Sequence, residues 1–257
     1  MPSRIRQAAR ALLALTLALA AALAPPSAEA QPAPDGRAEA VLRASCAALS
    51  GLSAYGFTAQ VDRALAWPSG DSARASQVVK ALVVRPDRFR VEVAGDDRDQ
   101  TVVCDGKTLT VLDVDANVYG TVEAQASIDD TVRDVLARYG LHSPLANLLY
   151  NDPCRGVAEW GPKARYLGLH MAAGRSCHHL LVLGEDMNWE LWIDQEDALT
   201  RKLVVTDKTL PGWPQYEAVI TSWNTSAKIP AKAFAFVPPK DARKVPVLPV
   251  SEPQPAN

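Results

Sequence analysis

Val78-Val79-Lys80-Ala81-Leu82-Val83-Val84-Arg85-Pro86-Asp87-Arg88-Phe89-Arg90-Val91-Glu92-Val93 is the stretch whose reading decides the fold. Val78 to Val84 reads as a strand apolar on both faces, and Arg85-Pro86-Asp87 turns the chain. Arg88 to Val93 then alternates. Phe89, Val91 and Val93 take one side and Arg88, Arg90 and Glu92 the other, because successive strand side chains point to opposite faces. Upstream, Gly56 to Trp67 forms an earlier strand, with Pro68-Ser69-Gly70-Asp71 as its turn. Downstream, Thr101 to Cys104 and Thr108 to Leu112 flank Asp105-Gly106, a hairpin signal because both residue types tolerate positive φ.

The periodicity changes on either side of this run. Before it, Asp35 is placed to cap a helix with Ala40, Val41, Ala44 and Ala48 on one face, ended by Gly51. After it, Asp129 or Asp130 caps a helix in which Val132, Val135, Leu136 and Tyr139 recur at helical spacing until Gly140. Ser143-Pro144 opens a second short helix, with Ser at the cap and Pro in the first turn. Its apolar face is Leu145, Leu148 and Leu149. Strands resume beyond Pro153, among them His178 to Leu183, Trp189 to Asp194, Arg201 to Thr206 and Tyr216 to Trp223, and run to about Phe236. No βαβ alternation appears, which disfavours a parallel sheet. The pattern describes a mainly β, α+β domain: a long antiparallel meander that curls, with helices over its concave face.

The first thirty residues fix the expected compartment. Arg4, Arg6 and Arg10 precede an apolar run from Ala11 to Ala24, and Ala28-Glu29-Ala30 follows as a small-x-small cleavage site. This is the pattern of a secretory signal peptide, and the run is shorter than the roughly 20 apolar residues of a spanning helix. No cysteine stands at the cleavage site, so no lipid anchor is expected. Residues 31–34 form a Pro-rich linker, 35–238 the folded domain and 239–257 a Pro-rich, loose tail. Losing the leader changes the balance from 27 basic and 29 acidic residues to 24 and 28. This mild acidity lacks the concentrated positive surface that nucleic acid requires, and a monomer is expected. The four cysteines, Cys46, Cys104, Cys154 and Cys177, allow three disulfide connectivities in an oxidising compartment. Cys154–Cys177 is preferred because it closes the shortest loop, and would contribute about 3 kcal/mol; buried free thiols are the alternative. No CxxC spacing suggests a redox site.

Val83-Val84-Arg85-Pro86-Asp87-Arg88-Phe89-Arg90 followed by Cys104-Asp105-Gly106-Lys107-Thr108-Leu109 resembles the LolA family of periplasmic lipoprotein carriers. Ser143-Pro144-Leu145 fits that family's short lid helix, and Phe234-Ala235-Phe236-Val237-Pro238-Pro239 its closing strand. Over nearly its whole length the chain is also similar to an uncharacterised family of predicted periplasmic proteins with a LolA-like fold. Cys177-His178-His179-Leu180, Trp189-Glu190-Leu191-Trp192-Ile193, Arg201 to Lys208 and Pro214-Gln215-Tyr216 carry that similarity. The resemblance implies an incomplete, strongly curved antiparallel β-barrel with an N-terminal helix and a helical lid, here at about residues 129–150. It also implies a hydrophobic cavity for acyl chains, an arginine, here Arg85, that ties the lid shut through lid backbone, and an aromatic at the cavity mouth, here Phe89. The second half carries Trp and His segments that LolA lacks, and its lid region is longer.

The cavity wall is expected from Phe89, Val91, Val93, Leu109 and Val111 of the strands, and from Val135, Leu136, Leu145, Leu148 and Leu149 of the lid. Burying each methylene of an acyl chain gains about 0.8 kcal/mol, enough over one chain to offset the ordering of a lid. Ordinary core packing of the same residues is the competing reading. Replacing Arg85 with leucine is expected to spare the fold and change ligand retention. His178 and His179 are strand neighbours that point to opposite faces, so they do not share an ion. Cys177 and His179 share a face, with His170 nearby, but fall short of the four N/S ligands of a zinc site. Asp113-x-Asp115-x-Asn117 starts like a calcium loop, yet Val118 stands where glycine is needed and Ala124 where the bidentate glutamate belongs; it reads as a hairpin turn. No nucleophile elbow, zincin helix, phosphate loop or dinucleotide fingerprint occurs, so no catalytic residue, metal or cofactor is expected. The leading expectation is a non-enzymatic carrier of a lipid or acylated lipoprotein, working with an envelope membrane-protein partner. The alternative is an interaction module binding a peptide or envelope partner without lipid cargo.

Overall fold

The computed structural model describes residues 36–66, 71–140, 143–155 and 163–250. The expected signal peptide, linker and Asp35 cap and most of the Pro68-Ser69-Gly70-Asp71 turn lie outside the described residues, as does the end of the tail. In chain order the elements are α1 (Gly36–Ser50), β1 (Ala54–Ala66), β2 (Ser72–Val84), β3 (Arg88–Gly95), β4 (Gln100–Asp105), β5 (Thr108–Asp113), β6 (Val118–Glu123) and α2 (Ile128–Tyr139). A 3-10 turn, Pro144–Leu148, precedes β7 (Ala164–Ala172), β8 (Arg175–Leu183), β9 (Met187–Asp194), β10 (Thr200–Asp207) and β11 (Gln215–Asn224). A second 3-10 turn, Ala231–Phe234, leads to β12 (Arg243–Lys244).

One sheet holds all of these strands, in the order β12-β6-β5-β4-β3-β2-β1-β11-β10-β9-β8-β7. Every pairing is antiparallel except β12 on β6. The two meanders meet where β1 pairs with β11, Phe57 opposite Trp223 and Val61 opposite Ala218. The sheet does not close on itself: β12 and β7 remain its edges, so the barrel is incomplete.

Strand alternation gives this sheet a buried face. Tyr55, Phe57, Ala59 and Val61 of β1 pack with Val79, Ala81 and Val83 of β2, Phe89 of β3 and Leu109 of β5. Ile128 and Val135 of α2 cover them, together with Leu145, Leu148 and Leu149 of the 3-10 turn. A second cluster joins Ala38, Leu42 and Cys46 of α1 to Ala164, Leu180, Val182 and Ile193 of β7–β9. Each helix system therefore roofs one half of the concave face.

Four local expectations change. First, α2 is capped by Ser127, whose Oγ accepts from Asp130 N at 3.1 Å. Asp129 is thereby free to accept from the backbone N–H groups of Asn151 and Asp152, at 2.5 and 3.2 Å. Gly140 ends the helix as expected, at φ +64°. Second, the disulfide is Cys46–Cys154, with Cα atoms 5.1 Å apart, and Cys104 and Cys177 are buried free thiols. The shortest loop is not the one closed: Cys177 sits within β8 between His170 and Asp194 on the flanking strands, whereas α1 brings Cys46 to Cys154. The bridge spans 108 residues, a loop length for which chain entropy gives about 5 kcal/mol.

Third, the Phe234–Pro239 segment forms no strand. Phe234 ends a 3-10 turn and is buried, with the Arg88 guanidinium 5.6 Å from its ring centre, and Phe236 packs on Tyr119. Pro230, Pro238 and Pro239 lack the N–H groups that a ladder needs. Fourth, the tail is not loose as far as Val250. Arg243 N and Val245 N donate to Asn117 O and Tyr119 O of β6 and the turn before it, at 3.1 and 2.9 Å, and Val250 N reaches Arg138 O of α2 at 2.8 Å. The Asp113–Asn117 segment is a hairpin turn, with Asn117 at φ +50° and Asp113 Oδ1 accepting from Ala116 N.

Candidate functional site

Between the β1–β5 wall and the roof lies a hollow of about 440 Å³, within the roughly 300–1,000 Å³ of ligand pockets. Phe89, Val91 and Val93 of β3 and Leu109 of β5 line it, with Val135, Leu145 and Leu149 above. The other expected residues stand elsewhere. Val111 packs against the core cluster without reaching the hollow. Leu136 lines an adjoining recess with Trp189 and Val205. Leu148 is buried in the core and borders a smaller recess beside α1 and β9.

Arg85 lies at one end of this roof and bridges three segments. Its Nε donates to Leu52 O at 2.8 Å and its Nη2 to Leu49 O at 3.3 Å, both at the end of α1. Its Nη1 donates to Tyr150 O and, at 3.1 Å, to Asn151 Oδ1, just past the 3-10 turn. Tyr55 completes the cluster: its hydroxyl accepts from Arg85 Nη2 at 3.2 Å and donates to Leu148 O at 2.7 Å. Burial pushes the Tyr55 phenol up to about 12, against the pull of Arg85, so it remains a neutral donor. The arginine's fork suits this task because its nitrogens point to different acceptors at once. The disulfide from α1 to Cys154 ties the same two segments covalently.

Along the strands the wall changes character. Phe57, Ala81, Val91 and Val102 form one row across the sheet, Ala59, Val79, Val93 and Gln100 the next. Gln77 then stands opposite Val61 and Gly95, and Arg63 opposite Tyr216. Gln77, Gln100, Arg63, Tyr216 and the loop residue Arg98 give the hollow a polar end. Burial pushes the Tyr216 phenol up to about 12, opposed by Ser143, Arg63 and Arg98. This end escapes a sequence reading centred on apolar residues. The available signal is the continued alternation Phe57, Ala59, Val61, Arg63, which keeps the arginine on the concave side.

The histidines divide between faces as their spacing requires. His178 meets the Tyr166 hydroxyl at 3.0 Å on one side. On the other, His179 Nδ1 lies 2.9 Å from His170 Nδ1, its Nε2 lies 3.1 Å from Glu190 Oε2, and its ring stacks on Trp192. Burial holds His179 below the ordinary histidine range, with Glu190 pulling it up. Among the described residues no group of three or more His, Cys, Asp or Glu side chains could hold a metal ion. Cys177 instead adjoins a charged knot, in which buried Asp194 accepts from Arg175 Nε at 2.7 Å and Arg201 Nε at 2.9 Å.

The family model described as "Predicted periplasmic protein (DUF2092)" matches residues 38–248. Among solved structures, an uncharacterized conserved protein from Thermus thermophilus aligns with TM-score 0.51 at 13% identity, covering 82% of this chain and 99% of that one. That likeness is one of fold. The LolA superfamily protein NE2245 from Nitrosomonas europaea aligns at TM-score 0.40 and 11% identity, over 77% and 97% of the two chains. LprF from Mycobacterium bovis aligns at 0.42 and 13%, over 77% and 98%. No curated protein matches the chain.

Proposed function

Because this chain belongs to the DUF2092 family of predicted periplasmic proteins, we propose that it is a periplasmic carrier holding the acyl part of a lipid or lipoprotein in the hollow beneath α2 and the 3-10 turn. The observation that carries this reading is the wall: Phe57, Val79, Val91, Val102 and Leu109 face Val132, Val135 and Leu145 across about 440 Å³. Each methylene placed there gains about 0.8 kcal/mol. Arg85 acts as the latch, since its bonds join the end of α1 to Tyr150 and Asn151. The described lining contains no His, Asp, Glu or Cys, which supports binding without a reaction. Envelope partners would load and unload the cargo.

Native mass spectrometry of protein purified from the periplasm tests the reading. A co-purified mass that extraction with organic solvent removes, and that an added acyl lipid restores, is the expected result. Protein that carries no lipid and takes none up refutes it. A second reading, docking of a peptide or envelope protein, is favoured by one observation. The edge strand β7 presents Leu167, Leu169 and Met171 to solvent, and an extended segment could add to such an edge.

A further inference from the structure

We propose that the polar end of the hollow is a head-group subsite for an uncharged, hydroxyl-bearing acyl ester, a lipid of the acylglycerol class; the inference rests on the carrier reading. Two buried side-chain atoms there have no hydrogen-bond partner among the described residues: Arg63 Nε, a donor, and Gln77 Oε1, an acceptor. Buried polar atoms are nearly always paired, and an exception asks for a reason. Both residues line the hollow. Both atoms are covered as the side chains stand, and a small turn of the two would let an ester carbonyl accept from Arg63 Nε and a glycerol hydroxyl donate to Gln77 Oε1. An ester without a hydroxyl satisfies only the first of these atoms.

The local charge argues against an anionic head. Arg63 is already ion-paired with Asp97, and Arg98 lies 3.6 Å from the same carboxylate. Asp96 and Asp99 flank them, accepting from Ser76 N at 2.8 Å and Gly95 N at 3.0 Å. The two arginines thus share Asp97, with two more aspartates in the same loop, and a free carboxylate or phosphate would have to compete with Asp97 for them. Gly95 is the residue opposite Gln77, and its lack of a Cβ lets the Gln77 side chain lie close against β3. The lipid tail would run from this end along Val93 and Val91 toward Phe89 and Leu109.

Delipidated protein titrated with monopalmitoylglycerol, methyl palmitate and palmitate, all of one chain length, tests the subsite. Monopalmitoylglycerol is expected to bind at least tenfold tighter than either of the others. Gln77→Leu, which removes the unpartnered Oε1 and leaves an apolar group of similar size, is expected to bring monopalmitoylglycerol to the affinity of methyl palmitate. Palmitate binding as tightly as monopalmitoylglycerol overturns the subsite and leaves the carrier reading standing, as does a Gln77→Leu protein that weakens both esters equally. Failure of all three ligands to bind overturns both.

Discussion

Replacing Arg85 with lysine keeps the positive charge and removes the fork. In the native chain Nε and Nη2 serve the carbonyls of Leu52 and Leu49, while Nη1 serves Tyr150 O and Asn151 Oδ1. A single ammonium reaches one set or the other. Losing two hydrogen bonds to a charged donor costs about 3–6 kcal/mol gross, at roughly 1.5–3 kcal/mol each. Water recovers part of this at a half-buried site. Asn151 also keeps its bonds to Pro86 O and Asp129. A net loosening of the lid by about 2–3 kcal/mol remains, roughly 30- to 150-fold in its opening equilibrium. Hydrogen exchange of the amides at 145–151 reads the opening, and the release rate of a bound acyl ligand reads its consequence. Both should accelerate together, with exchange in β1, β2 and β11 little changed. If lid exchange and release stay within threefold of the parent while the melting temperature falls, Arg85 is only cement for the core and the latch reasoning is wrong.

Reduction of Cys46–Cys154, or its replacement by a serine pair, should lower unfolding free energy by up to about 5 kcal/mol in urea titration. Thiol reagents should meanwhile leave native Cys104 and Cys177 unmodified, since both are buried and burial pushes the Cys104 thiol up to about 11. Asp194→Asn removes the carboxylate shared by Arg175 and Arg201, which keep Glu196 and Asp197 as partners, and should cost about 1–3 kcal/mol by thermal or chemical denaturation. The same residue sets an acid limb. Burial alone would raise its carboxyl, but hydrogen bonds from Arg175, Glu196 N and Arg201 outweigh that and hold it well below the usual range. Its stabilisation is therefore complete above the unfolded value of about 4 and is lost as pH falls further; the Asn variant should flatten the stability curve below pH ~4. A Cβ at Gly120 would collide with Val247 Cγ2. Gly120→Ala should therefore displace the tail and open residues 243–250 to limited proteolysis, with the sheet retained.

The elements built on local period were legible. β3 alternates apolar and charged residues, α2 carries Val132, Val135 and Tyr139 at helical spacing with Gly140 as its stop, and Asp105-Gly106 marks its hairpin. What escaped depends on pairings between distant segments. Cys46 meets Cys154 only because α1 folds back over the second meander. Gln77 and Arg63 become parts of one pocket only once β1, β2 and β11 are in register. The same holds for the tail, whose Pro-rich composition suggests looseness while Val245 and Val250 find backbone partners on β6 and α2. The apolar residues of the hollow were easier to foresee than its polar end, because alternation identifies a face but does not say which face receives a ligand. Phe89, Val91 and Val93 line the hollow for that reason, whereas Val111, on a strand read the same way, packs into the core beside it.

The pairing of β1 with β11 has a consequence for how the chain folds. β1 gains one neighbour, β2, almost at once, but its other side stays raw until Gln215–Asn224 arrives. Non-local pairing of this kind is slow to form and leaves strand edges open in the interim. A chain cut short before residue 215 would own two half-sheets, each with an unpaired inner margin lined by the groups that belong to the missing partner. Such fragments should clump rather than fold, and the periplasm would need to hold the newly arrived chain apart until its last long strand was present.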